Sequence, residues 1–391
     1  MSSPESPPRF EEVDWEDIDG SGSFLSAERV TLLAGTLLLV VAYWYDATVA
    51  HVYLIASWEV DRVDWALLLA LVVIVSYGVV PAIRHRGKVR RILRRMASRP
   101  ATLFGSVYLI VIVGVGLLEP FVYQNPGLQF QHAFHPPVGV VTDVPVQECL
   151  GTVTGGPFDR TCQGTMAFPL GANERGLPMG YLVVTGARVA LYVLLITAAF
   201  VVPLAAVVGV VSGLRGGLVD DALMGYVDLQ LCLPAIVVYV VANSYWHTSL
   251  FVLLAAFGLL SWGGIARLVR SETLQRREAG YVRVARGVGA PGSYVARRHI
   301  LPNVTNTLVP AAFQLLALLV LVEAGVAFLG FHDVQLYSWG STISEALGAG
   351  HPTYEVWWIS AFPGIALVLT VFSLKLVGDG LRDALDPRGD R

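Results

Sequence analysis

The chain is 391 residues long, 54% hydrophobic and 15% charged, with a formal net charge of −3 and a mean hydropathy of +0.60. These values lie far outside the range of water-soluble domains and imply a polytopic membrane protein, with the lipid bilayer as a partner and no nucleic acid. Hydrocarbon offers no hydrogen bonds to a bare backbone, and a crossing needs roughly 20 apolar residues, so an all-α fold of about eight transmembrane helices is expected.

In chain order, residues 1–29 are acidic, carrying Glu5, Glu11, Glu12, Asp14, Glu16, Asp17 and Asp19. They are expected to form a disordered tail with no cleavable signal peptide. Residues 30–83 read as a hairpin of two spans, about 30–45 (extendable to 57) and 65–83, joined by a loop with Glu59, Asp61, Arg62 and Asp64. A basic stretch, 84–100, holds Arg84, Arg86, Lys88, Arg90, Arg91, Arg94, Arg95 and Arg99. The core follows over 101–378. Its first span is predicted at 101–123, a polar segment rich in Gly and Pro at 124–180, and five more spans near 181–214, 219–243, 249–268, 306–331 and 356–377. Residues 379–391 form a short tail with Arg382, Arg388 and Arg391.

Positively charged loops stay on the cytoplasmic side of a membrane. The basic stretch, a polar island at 269–303 and the C-terminal tail fall on one side of an eight-span path. That side, with both termini, is predicted to be cytoplasmic in a multi-pass cell-membrane protein, and 124–180 to be external. An oxidising exterior would permit a disulfide between Cys149 and Cys162. Cys232, between Leu231 and Leu233, reads as a small buried residue. Trp246, Trp262, Trp339, Trp357 and Trp358 read as interfacial anchors.

Nothing points to chemistry within the chain. It has no HExxH, no GxSxG and no Cys/His set at metal-ligand spacing, so no catalytic residue and no metal is expected. A phosphate-binding loop needs Lys followed by Ser or Thr, yet Lys88 and Lys375 precede Val89 and Leu376. The island is more informative, because a polar segment about two helices long between apolar runs is something a soluble partner can grip. Within it Tyr281, Ala285 and Val288 recur at helical spacing as a short apolar face, with Arg283 and Arg286 pointing elsewhere. Gly289 would allow a sharp turn, and Pro302 would mark the start of the next span.

The island resembles the EAA loop of ABC importer permeases, in the form found in the dipeptide, oligopeptide and nickel branch. Arg283, Val284 and Ala285 stand at its first three places, Gly289 at its glycine, and Ile300, Leu301 and Pro302 at its end. Tyr281, Arg286, Ala290, Arg298, His299 and Asn303 also match. Stretches similar to the same family occur at 94–105, 168–176, 186–189, 327–330, 338–340, 362–364 and 378–388, so the likeness covers roughly 90–388. The leading hairpin falls outside it and is expected to pack peripherally or serve membrane insertion. Arg283 departs from the pattern, standing where the family usually has an acid, and Glu278 is a candidate substitute.

The resemblance implies a type I importer permease of six core spans plus the N-terminal pair. Such a permease passes peptide-like or nickel-chelate solute from an extracellular solute-binding protein. It pairs with a second, homologous permease and with two ATPase subunits, which hold the ATP and Mg; this chain is expected to bind no cofactor. Coupling to the ATPases would involve Glu278, Tyr281, Arg283, Ala285, Arg286, Gly289, Leu301 and Pro302. The translocation path would touch Asp228, Gln230, Pro234 and Glu323. The alternative is a non-transporting scaffold or signalling subunit whose island docks a soluble regulator.

Overall fold

The structure is a computed structural model and describes residues 26–49, 60–122, 126–156, 159–246, 249–331 and 336–385. The acidic tail up to residue 25, the extension of the first span to 57, Glu59, Arg388 and Arg391 lie outside the described residues. Helices carry the fold: α1 (Ala27–Thr48), α2 (Arg62–Arg84), α3 (Arg86–Ala97), α4 (Pro100–Val122), α5 (Met179–Arg215), α6 (Gly217–Cys232) and α7 (Ala235–Tyr245). They continue with α8 (Leu250–Leu260), α9 (Gly263–Arg277), α10 (Gly280–Gly287), α11 (Gly292–Phe328), α12 (Trp339–Gly348) and α13 (Trp358–Leu385). Among the described residues seven stretches, with α8 and α9 taken together, are long and apolar enough to cross a membrane, and α6 with α7 makes an eighth.

Prolines set the shape of these helices. A proline has no N–H to donate, and its ring crowds the carbonyl one turn back. Just before Pro81, Pro203 and Pro302 the backbone widens into π turns, at Val75–Val79, Thr197–Val201 and Ala296–Ile300. These are closed by bonds from the N–H groups of Val80, Val202 and Leu301 to the carbonyls of Val75, Thr197 and Ala296. The helix therefore runs through each proline. Pro302 does not start a span, contrary to the sequence reading; the helix has already begun at Gly292, after Pro291. At Pro234 there is no such detour, and α6 and α7 meet at a 76° bend, as that proline predicts.

Close approach between spans relies on small residues, as it must where lipid is as apolar as the helix faces. A Cβ on Gly116 of α4 would stand 3.1 Å from the Ala187 carbonyl oxygen of α5, and one on Gly209 of α5 would stand 2.6 Å from that of Ala266 in α9. α1 buries no residue, whereas α2 turns Val63, Asp64, Leu67 and Ala70 inward against α5. Only the first half of the hairpin is peripheral.

The two ends of the bundle differ. At one end Arg95 donates to the Ala384 carbonyl at the close of α13, Arg99 pairs with Asp383, and Arg277 donates to the Gly213 carbonyl at 3.1 Å. This basic end gathers α3, the close of α9, α10 and the start of α11. The opposite end is capped by the segment before α5, in which β1 (Val141–Thr142), β2 (Val153–Thr154) and β3 (Thr161–Gln163) form an antiparallel sheet in the order β1-β3-β2. Cys149 and Cys162 are disulfide-bonded within it.

Side-chain placement differs from the sequence reading in two respects. Trp262, Trp339 and Trp358 are core residues and not interfacial anchors; Trp246 and Trp357 are exposed. Trp339 fills the space left by Gly186 and donates to the Val183 carbonyl at 2.9 Å, while Trp358 lies over Gly171 and donates to the Ala172 carbonyl at 3.0 Å. Cys232 is exposed where burial was expected, as are its neighbours Leu231 and Leu233 at the close of α6.

Candidate functional site

The island folds into a short outward helix held between two long ones. α9 ends at Arg277 and is capped by Glu278, which is exposed. Arg270 of α9 grips Asp220 at the start of α6, Nε to Oδ1 at 2.6 Å, and the Ser212 hydroxyl of α5 donates to the same carboxylate. The end of α5 and the start of α6 are thus tied to the middle of α9, the helix that leads into α10. On α10 itself Val282 is fully buried and Ala279 and Ala285 pack partly against the core, so the outward apolar residues are Tyr281 (47% exposed), Val284 (69%) and Val288 (55%). The sequence reading put Ala285 on this face, but it lies on the flank toward the body, and Val284 takes its place. Arg283 and Arg286 are exposed beside that face.

Gly289 adopts φ +86°, a left-handed turn that only glycine enters cheaply, and the chain reverses into α11. Tyr281 and Tyr294 each approach the His299 ring, with centroids 5.7 and 5.8 Å apart, which ties α10 to the first turns of α11. Leu301 is exposed on α11 and Ile300 is fully buried.

The residues assigned to a translocation path are not gathered into one site. Asp228 is exposed and paired with Arg267. Gln230 is buried and donates to the Leu259 carbonyl at 2.6 Å, while its Oε1 finds no hydrogen-bond partner among the described residues. Pro234 sits exposed at the bend. Glu323 is buried against a cavity of about 10 Å³, room for roughly one water, lined by Val189, Tyr239, Leu250 and Phe331. No hydrogen bond or ion pair joins Glu323 to the other three.

The sequence reading missed a buried charge cluster between three spans. Arg188 of α5 donates from Nη2 to Asp64 of α2 at 3.0 Å and from Nη1 to Glu119 of α4 at 2.8 Å. The three side chains are 13%, 3% and 6% exposed, respectively. Tyr192 joins by accepting from Arg188 Nε and donating to Asp64, and the Thr185 hydroxyl donates to Glu119 at 3.3 Å. Charges inside a membrane are costly unless paired in this way. The cluster fastens the hairpin to the core.

At the capped end, Asn173 donates to Glu345 of α12 at 2.7 Å and accepts from the backbone N–H groups of Arg175 and Leu177. Burial raises the Glu345 carboxyl above its ordinary range. His135 is fully buried and burial lowers its imidazole below the ordinary value, with one ring nitrogen set against the Pro136 carbonyl.

Comparisons with known proteins bear on this arrangement. A family model described as the inner membrane component of binding-protein-dependent transport systems matches residues 205–391. A Brucella ovis protein provisionally named a peptide permease protein is 33% identical over 222 residues, which is 56% of this chain and 73% of that protein. The oligopeptide transport system permease protein OppC of Haemophilus influenzae is 27% identical over 300 residues, 76% of this chain and 87% of its own length. Its namesake in Bacillus subtilis is 30% identical over 204 residues, 52% and 66%.

Proposed function

The chain belongs to the family of inner-membrane components of binding-protein-dependent transport systems, and from that premise we propose that it is the translocating permease of an ATP-driven peptide importer. The observation that carries the reading is α10, an apolar and basic face presented outward on a tied base, with α11 running from its foot through the membrane span. A soluble ATPase that closes on α10 would turn α11 and so rock the core between two openings. The names of the relatives favour a peptide over a nickel chelate.

Partners follow from the division of labour. Two ATPase subunits would supply nucleotide hydrolysis, a second homologous permease the other half of the path, and an external binding protein the cargo. The basic end, with the N- and C-termini, would face the cytoplasm and the disulfide-bonded cap the exterior. Glu278, Tyr281, Arg286, Gly289, Leu301 and Pro302 would shape or contact the ATPase seat. Arg283 is exposed without an ion pair among the described residues, so the matching ATPase surface would carry the acid.

The test is to purify the tagged chain in mild detergent and measure ATP hydrolysis with and without the binding protein. Recovery of a second permease and two ATPase copies, with hydrolysis that rises on adding binding protein, supports the reading. Recovery of a soluble regulator with no hydrolysing partner would favour a docking scaffold.

A further inference from the structure

We propose that the junction of α2 and α3 is a binding site for one anionic phospholipid, with its acyl chain in an apolar groove and its phosphate held by arginines. The inference rests on the membrane-spanning fold and not on cargo or ATPase coupling. The last turns of α2 and the first turns of α3 line a shallow, open apolar groove of about 650 Å³. Ile74, Val79, Ile83 and Leu93 line it, and Arg86 and Arg90 stand at its rim. A second recess of about 440 Å³ adjoins, formed by Arg90, Arg91, Arg94 and Arg95, so Arg90 is common to the apolar and the cationic halves.

The charges here are available. Arg95 and Arg99 are engaged with the end of α13, and Arg84 with Glu28, but Lys88, Arg90, Arg91 and Arg94 form no ion pair among the described residues. α3 buries no residue in the protein and is amphipathic, with Val89 and Leu93 on one side and cations on the other. Such a helix lies in the plane of the interface and draws anionic headgroups. A free phosphate would satisfy the arginines but leave the groove without an occupant; a phospholipid satisfies both.

The experiment is native mass spectrometry of the detergent-solubilised full chain, titrated with phosphatidylglycerol or with phosphatidylcholine of the same acyl chains. Phosphatidylglycerol is expected to be retained preferentially. The double variant Arg90→Gln/Arg94→Gln is expected to lose about tenfold or more in its retention. Gly78→Leu, which pushes a side chain into the groove from a position where a Cβ meets only Ile74 at 3.8 Å, is expected to reduce it as well. Equal retention of the two lipids would overturn the proposal. So would full competition by inorganic phosphate with no effect of Gly78→Leu, since that describes a bare anion site.

Discussion

At the scale of single residues, Asp64, Glu119 and Arg188 depend on one another for their buried charges. Removing one partner of a buried ion pair costs about 3–5 kcal/mol because the remaining charge stays unmatched, whereas replacing all partners by apolar groups is close to neutral. Arg188→Met alone is therefore expected to lower the thermal unfolding midpoint in detergent sharply, and Arg188→Met/Asp64→Leu/Glu119→Leu to recover most of it. His135 supplies a second expectation. Its folded-state value is depressed, so the stability it contributes is complete above its ordinary value of about 6.5 and is lost as pH falls through the folded value. Amide exchange in the capping segment, corrected for intrinsic rates, should rise on acidification, and His135→Gln should flatten that rise. Neither feature was legible beforehand. A hydropathy scan treats Asp64 as part of a loop and Glu119 as one polar residue in an apolar run, and it says nothing of three helices bringing them to Arg188.

At the scale of elements, the spans were legible because length and apolar composition alone decide a crossing, and some helix ends were not, because α9 runs on to Arg277 and α11 starts at Gly292, both in polar sequence where the apolar run has stopped. The π turns before Pro81, Pro203 and Pro302 restore the ladder by one longer bond each, so the helices continue through these prolines. The outward face of α10 was half legible. Helical spacing picked out Tyr281 and Val288, but which of Val284 and Ala285 faces outward depends on how Val282 docks, a tertiary fact. Packing at α12 is equally invisible in sequence. A Cβ on Gly340 would lie 1.9 Å from the Ala324 carbonyl oxygen of α11, a backbone atom that cannot step aside. Gly340→Ala is expected to destabilise the protein by roughly 1–3 kcal/mol. Gly348→Ala, on the same helix with nothing within 4 Å, should be neutral in the same thermal melt.

At the scale of the whole molecule, the proposed function makes docking and transmission separable properties of the same segment. On that reading docking would need the outward face of α10; transmission would need that face to be rigidly joined to α11, through the Gly289 turn, the rings packed around His299 and the helix that continues from Gly292 to Phe328. A charge placed on the face, Val284→Asp, should cost co-purification of the ATPase subunits. Three glycines inserted between Ala290 and Pro291 leave the face intact but free it from the lever. With that insertion the ATPases should still co-purify, while uptake into proteoliposomes falls about tenfold, the size of a coupling change near 1.4 kcal/mol. Unchanged uptake would mean that motion reaches the core by another contact, and the candidate is then the base where Arg270 holds Asp220 and joins α9 to α6.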